Sequence, residues 1–515
     1  MIISKHYVIT IIFIGYKKEF VNPADFLQHY INPGLKYQLF YIHVVLCNYS
    51  LFFRVILHEL FQHFHTIQRK HLLYWMYHCE GGPIMYRKIF DFLESWKESS
   101  HRKPLILQGA RQVGKTYSIL EFGRTHYENV AYFNFETNPK LSETFDEDIS
   151  PDYLIPILSR IADQTIVKEK TLIVFDEVQL CERALTSLKY FCESAPDYHI
   201  IVAGSLLGVA VNRSKFSFPV GKVDMKTLYP MDMEEFMLAL GEKELVERIR
   251  QSFQTDTPLP SALHEAAMQL YRQYLVVGGM PECVMQFINT KNYILVRHTQ
   301  DTILASYLND MSKYNTLNEI KKTRLAYDNI TVQLSKTNTR FQYKLLKKGA
   351  RASEFENAIE WLCLSGIVSQ VYRVEQIKKP LDNYRDIDAF KIYVSDLGLL
   401  CAKKDVAADD ILYMVDEIND FKGGMTENYV HVQLTINGYR SYYWASERGA
   451  EIDFVIQREG QLIPIEVKSA DNTRAKSLRI YMDSYKPAYA IKLSAKNFGM
   501  ENNLKIVPLY AAFCI

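Results

Sequence analysis

Two stretches of this chain place reactive residue types in spacings that could do chemistry. The first is Gly109, Ala110, Arg111, Gln112, Val113, Gly114, Lys115, Thr116: two glycines enclosing four residues, then a lysine and a hydroxyl. Such a loop curls so that successive backbone N–H groups point at phosphate oxygens, and glycine permits the turns this needs. Lys115 is expected to reach the β- and γ-phosphates of ATP and Thr116 to hold Mg2+, with the dipole of a following helix assisting. The second stretch pairs Asp453 in AEIDFVI with Glu466 and Lys468 in IPIEVKS. Carboxylates converging at the end of a strand hairpin are oxygen ligands of the kind Mg2+ takes. A metal held there would polarise a phosphodiester and activate a water. Lys468, two residues after Glu466, shares its strand face and could position that water or offset developing charge.

Each set needs elements to position it. For the loop, LILQ reads as a strand leading in and YSIL as the start of a helix leading out, after a first helix in MYRKIFDFLESW. AYFNFE follows as a strand, and TLIVFDEVQL as a buried strand ending in Asp176 and Glu177. Asp176 is expected to hold magnesium through water and Glu177 to orient the attacking water. HIIVAGS ends in Ser205, whose hydroxyl is placed to sense the γ-phosphate. This succession of βαβ units predicts an α/β fold with its ligand at the carboxyl ends of parallel strands. No arginine is assigned to the reaction; Arg213 and Lys222 are candidates, with plain surface charge the simpler reading of both.

For the hairpin, EIDFVIQREGQLIPIEVK alternates about a Glu-Gly turn, which would set Asp453 against Glu466. A third acid, Glu427, lies in GGMTENYVHVQL, read as an amphipathic helix. AKSLRIYMDSYKP adds Lys476 and Arg479, which could line a nucleic-acid groove. Between the two sites, residues 250–335 read as helical, with a stop at Gly278 and Gly279 before Met280 and Pro281. RFQYKLLKKGARASEFENAIEWLCLSGIVSQVYRV predicts two helices split by a turn, then a strand. Lys344, Lys347, Lys348 and Arg351 would then cluster as a phosphate-contacting surface, although such folds dock on protein as readily as on DNA.

A strand between the phosphate loop and the acidic strand is the pattern of AAA+ and RecA-like ATPases. More closely, GARQVGKT, FDEVQ, AGSLLG and FPVGKVDMKTLYPMDMEEF resemble a prokaryotic family that joins an AAA+ ATPase core to a conserved C-terminal domain of uncharacterised function. YLVVGGMPECV, ASYLNDMSKY and KIYVSDLGLL look like its further landmarks, so the resemblance covers about residues 85–515. It implies ATP binding with Mg2+; Lys222 stands where members often carry arginine. The middle resembles a winged helix, and an acid-bearing helix followed by a D…ExK hairpin resembles the PD-(D/E)xK nuclease-like fold. The expected architecture is an atypical extension over 1–84, a P-loop parallel-sheet core over 85–250 and a helical lid or linker over 251–335. A winged-helix-like region over 336–400 and a restriction-endonuclease-like domain over 401–515 follow. The expected function is an ATPase that gates nucleic-acid processing by a Mg2+-dependent nuclease-like module. The alternative is a nuclease-inactive switch that binds protein or DNA. A homo-oligomer is compatible with both.

Bulk properties restrict the class further. The 515 residues carry a net charge of +1, which excludes a globally basic nucleic-acid coat. Eight scattered cysteines without a CxxC pair point to reduced thiols and a cytoplasmic protein. Residues 1–84 differ from the rest, holding eight of the 14 histidines but four of the 59 acids. Their run YVITIIFIG is too short to span a membrane. The longer YQLFYIHVVLCNYSLFFRVILHELF is interrupted by His43, Asn48, Arg54, His58 and Glu59, and a central arginine alone costs about 2.5–3.5 kcal/mol. The abrupt change of composition makes Met85 the expected natural start, and no membrane span is expected over 85–515.

Overall fold

The structure, a computed structural model, describes residues 85–205, 218–313, 317–334, 340–469 and 476–515. The expectations for residues 1–84 and for Arg213 lie outside these. Five strands, β1 (Leu105–Gln108), β2 (Asn129–Asn134), β3 (Thr171–Asp176), β4 (His199–Gly204) and β5 (Asp224–Thr227), form a parallel sheet in the order β2-β3-β4-β1-β5. β3 and β4 are buried at every position, as continuous apolar strands covered on both faces must be. Alternate residues feed two cores: Leu172, Val174, Ile201 and Ala203 enter one, Ile173, Phe175, Ile200 and Val202 the other. Because β4 pairs with both β1 and β3, the phosphate loop and the acidic strand stand one strand apart. Their carboxyl ends open on the same edge.

Helices follow over Met233–Ala239, Lys243–Thr255, Ser261–Val277, Pro281–Thr290, Tyr293–Lys313 and Leu317–Leu334. They lead into a mixed sheet of β6 (Val368–Val374), β7 (Arg385–Val394), β8 (Tyr442–Ala445), β9 (Glu451–Arg458), β10 (Gln461–Val467), β11 (Ala490–Ser494), β12 (Gly499–Glu501) and β13 (Leu504–Pro508). Its order is β12-β13-β11-β10-β9-β8-β6-β7. The antiparallel pair β6 and β7 joins the terminal strands through parallel pairing of β6 with β8. Segments 336–400 and 401–515 therefore share one sheet, within a single compact unit over 85–515.

Two local expectations differ from what forms. The stretch RFQYKLLKKG makes one 3-10 turn, Tyr343–Leu345, rather than a helix; Lys344 is exposed on it, and Lys347 and Lys348 on the turn that follows. Gly349 at φ 79° ends it, leaving too few residues for a helix to repay its nucleation. The helix Ala352–Leu364 comes next, and its exposed face carries Glu354, Glu356, Asn357 and Glu360. The helix Asn419–Ile436 is not amphipathic, since every residue from 424 to 434 is buried. It contacts β7 and β10 as well as the helices Leu317–Leu334 and Leu397–Lys403, so no face is left for water.

The landmarks VVGGMP and SDLGL meet in space. Asp396 is buried; one carboxylate oxygen accepts from Gly279 N–H at 2.7 Å, the other from Leu399 N–H at 2.8 Å, capping the helix Leu397–Lys403. A Cβ on Gly278, at φ 76°, would meet that carboxylate at 2.4 Å, so only glycine fits. Burial lifts the Asp396 carboxyl to about 6 even though backbone N–H donors pull it down. Among the described residues no helix is long and apolar enough to cross a membrane, and all six cysteines are free.

Candidate functional site

The phosphate loop connects β1 to the helix Lys115–His126. Gly109 (φ 149°), Gln112 (φ 65°) and Gly114 (φ 93°) take the positive φ values that fold it into a cradle. A Cβ on Gly109 would stand 2.1 Å from the carbonyl oxygen of Leu228. Lys115 is buried, its ammonium donating to the carbonyls of Gly109 at 2.9 Å and Ala110 at 2.8 Å. No acidic side chain is ion-paired with it among the described residues. Burial pulls it down to about 8, against the opposing charges of Glu177 and Asp176.

Across the one-strand gap, Thr116 Oγ1 donates to Asp176 Oδ2 at 2.9 Å. The same carboxylate oxygen accepts from Tyr132 Oη at 2.7 Å, and Asn134 Nδ2 donates to that tyrosine oxygen at 3.1 Å. Hydroxyl and carboxylate thus face one point beside the loop, a donor set that fits Mg2+ carried with a nucleotide. Glu177 turns the chain at φ 51°, and Gln179 Nε2 donates to its carboxylate at 2.5 Å. Burial raises the Glu177 carboxyl, and the bond from Gln179 opposes that. Ser205 is buried just past the end of β4, between the strands that carry the loop and Asp176. Lys222 pairs with Glu193 at 2.9 Å, both about two-fifths exposed, so it behaves as surface charge.

Later and earlier segments brace the loop from outside, and none of these partners was foreseen. Arg87 donates to Val113 O at 3.0 Å and Tyr229 O at 2.7 Å, with Glu235 3.2 Å away. Arg111 forms an ion pair with Asp310, and Tyr307 Oη donates to Arg111 O at 3.3 Å. Gly366, just before β6, packs against Ala110; a Cβ there would stand 3.1 Å from the Ala110 nitrogen. The landmark ASYLNDMSKY carried the only sequence signal, since it contains both Tyr307 and Asp310.

At the terminal hairpin, β9 and β10 pair antiparallel with Ile465 opposite Phe454, and one further step of this register sets Glu466 opposite Asp453. Glu459 and Gly460, both at positive φ, make the turn. Glu466 is buried, its Oε1 paired with Lys468 Nζ at 2.6 Å and its Oε2 without a hydrogen-bond partner among the described residues. Asp453 Oδ2 accepts from Val467 N–H at 2.7 Å. Glu427 is turned to Lys391 Nζ at 2.7 Å and accepts also from Tyr393 Oη. Lys391, 1 % exposed, reaches Glu451 as well at 2.6 Å. Burial, then the charges of Glu427 and Glu466, push Asp453 well above the carboxylate range. Among the described residues no three His, Cys, Asp or Glu side chains are arranged to hold a metal ion. The charges of Glu427 and Glu466 both act on Asp453, and an ammonium, Lys391, takes up Glu427. Its signal was the alternation of Lys391 and Tyr393 in KIYVS, which puts both on one strand face. Lys476 and Arg479 lie on the helix Lys476–Tyr485, with Arg479 4.0 Å from Asp483.

Residues 101–237 match the family model of an AAA domain. Residues 268–410 and 422–512 match two domains of unknown function, DUF8612 and DUF4143. No curated protein matches the chain. Among solved structures, the Aeropyrum pernix ORC1 protein in complex with DNA is 12% identical, with 62% of this chain and 91% of that chain covered, at a TM-score of 0.27. The Aeropyrum pernix ORC2 protein is 13% identical, covering 66% and 96%, at 0.32. The Thermotoga maritima RuvB Holliday junction branch migration motor is 13% identical, covering 55% and 87%, at 0.26. The chain thus carries an AAA domain with a parallel-sheet P-loop core, followed by two domains whose role no comparison assigns.

Proposed function

We propose that this protein binds and hydrolyses ATP with Mg2+ and uses the nucleotide to switch the domains that follow. The observation that carries this is the facing of Thr116 and Asp176 at 2.9 Å beside a loop whose buried lysine is held by carbonyl oxygens, with no acidic ion-pair partner among the described residues. A buried ammonium held only by carbonyls is completed by an anion. The backbone N–H groups of 109–116 cradle the phosphates, and Lys115 offsets the charge of the β- and γ-phosphates. Mg2+, when bound with ATP, offsets charge on the β- and γ-phosphates; Thr116 and Asp176 are the residues to hold it. Tyr132 fixes the Asp176 oxygen, Glu177 orients the attacking water and takes its proton, and Ser205 stands where the γ-phosphate ends.

A second reading makes the C-terminal sheet a Mg2+-dependent nuclease that ATP gates. Two observations favour it: the pairing of Ile465 with Phe454, one step from Glu466 and Asp453, and the buried Glu466 Oε2, which has no hydrogen-bond partner among the described residues. DNA docking through a winged helix gains less support, because the exposed face of Ala352–Leu364 is acidic, which repels phosphate. One experiment addresses both readings. Phosphate release from ATP and cleavage of supercoiled and single-stranded DNA are measured on the protein, Lys115→Ala and Asp453→Ala, with Mg2+ or Mn2+. ATP turnover lost in Lys115→Ala and kept in Asp453→Ala is the expected result. Metal-dependent cleavage that Asp453→Ala abolishes would establish the second reading; no cleavage anywhere would leave the sheet a binding module.

A further inference from the structure

The chemistry proposed for the loop needs one more positive charge near the γ-phosphate. In hydrolysis the bond between the γ-phosphorus and the β,γ-bridging oxygen breaks, and its electron pair leaves with ADP. A bond forms from the water oxygen to phosphorus, and the water proton passes to the Glu177 carboxylate. Negative charge gathers on the γ-oxygens and the leaving oxygen, and an arginine placed there is worth about 10³–10⁵ in rate whether it comes from the same chain or a neighbour.

We infer that Arg111 supplies this charge from within the chain, and that Asp310 on the helix Tyr293–Lys313 holds it ready. The inference rests on the reading of the loop as a site of ATP hydrolysis. Arg111 is the third residue of the cradle, two after Gly109 and three before Gly114, within the loop proposed to hold the phosphates. Its side chain is about a third exposed (35%), whereas its partner Asp310 is buried. The helix grips the residue at both ends, through the ion pair and through the Tyr307 hydroxyl on its carbonyl. A guanidinium can exchange one carboxylate for a phosphate by side-chain rotation alone, and its planar fork suits either group. The charge of Arg111 is also felt at Lys115, where it adds to the downward effect of burial. Asp310 and Tyr307 both lie in ASYLNDMSKY, which gives that stretch a role at the nucleotide.

The test is steady-state ATP hydrolysis on the full chain, with ATP affinity read separately from a fluorescent nucleotide. Arg111→Ala should lower kcat by about 10³-fold or more while the dissociation constant for ATP changes far less. Free guanidinium ion added to Arg111→Ala should restore part of the rate, which a merely structural tie would not allow. Arg111→Lys keeps charge without the fork and should fall between the two; it also decides the matter if the alanine variant fails to fold. Activity per chain of the wild type should be unchanged on dilution, since the arginine needs no neighbour. An Arg111→Ala protein as active as wild type, or one whose loss is confined to ATP affinity and is not rescued, overturns the inference alone. A wild type that binds ATP without hydrolysing it overturns the functional reading, and this inference with it.

Discussion

At the phosphate loop the buried cation, Lys115, has carbonyl oxygens for partners, whereas at the hairpin Lys391 and Lys468 are clasped by carboxylates. Burial acts downward on all three ammonium groups. At Lys115 it prevails and the group falls to about 8. At Lys391 the charges of Glu427 and Glu451, and at Lys468 those of Asp453 and Glu466, outweigh it and raise both above the ordinary lysine value. The difference teaches what each site lacks. The loop is one anion short, which is the condition of a phosphate receptor. The hairpin holds its own cations at Glu427, Glu451 and Glu466, while Asp453 stays pushed upward by burial and by its acidic neighbours.

The largest effect that would test this contrast is on turnover. Glu177→Gln should cut ATP hydrolysis by about 10²–10⁴-fold, the worth of a positioned general base, while ATP still binds. Phosphate release and nucleotide binding measured on one preparation check it. Retained turnover would show that the acidic edge of the sheet is not where the water is activated.

Stability gives the sharper comparison, because the same substitution should act in opposite directions. Lys391→Met leaves Glu427 buried without its cation and should cost about 3–5 kcal/mol in urea unfolding. Adding Glu427→Gln should recover much of that loss. Lys115→Met removes a buried cation held by carbonyl oxygens, and should leave stability unchanged or raise it. Equal losses at both lysines would erase the distinction between the sites.

A third effect is on pH. The folded Lys115 loses its proton near 8, below the value of a free lysine, so between about 8 and 10.5 the unfolded chain binds more protons than the folded one. Stability contributed by this group therefore rises with pH across that window. ATP affinity should move the other way, falling as pH rises through about 8, because the deprotonated lysine no longer offsets phosphate. Titrating nucleotide affinity from pH 7 to 9 on wild type and Lys115→Arg checks this, the arginine variant showing no such fall.

What the sequence disclosed follows the range over which each feature is determined. Strands β1 to β4, the loop and the Glu-Gly hairpin depend on neighbours a few residues apart, and burial runs or turn chemistry reveal them. The partners of the functional groups do not. Lys391 finds Glu427 36 residues on, Asp396 reaches Gly279 across 117 residues and Arg111 meets Asp310 across 199. No local pattern encodes such pairings, so the reading of Glu427, Asp453, Glu466 and Lys468 as one set left out Lys391, which the fold brings to Glu427. The basic run before Gly349 misled for a related reason. Its residues favour helix singly, but the segment is too short to sustain one.

The smallest effect concerns metal at the hairpin. If Lys391 already answers Glu427 and Glu451, a divalent cation must displace an ammonium held at 2.7 and 2.6 Å before it can use those oxygens. Wild-type protein without nucleotide should then bind Mn2+ weakly, and a ligand present at its dissociation constant adds only about 0.4 kcal/mol of stability. Lys391→Gln removes the competing charge while keeping a donor for Glu427, and should bind Mn2+ more tightly. Electron paramagnetic resonance of Mn2+ titrations reads both, with Asp453→Asn as the control that ties the signal to the hairpin rather than to Asp176. A wild type that binds as tightly as Lys391→Gln would mean that the lysine does not compete. Glu466 Oε2 and Asp453 would then be the oxygens that matter, and the nuclease reading would gain the metal it requires.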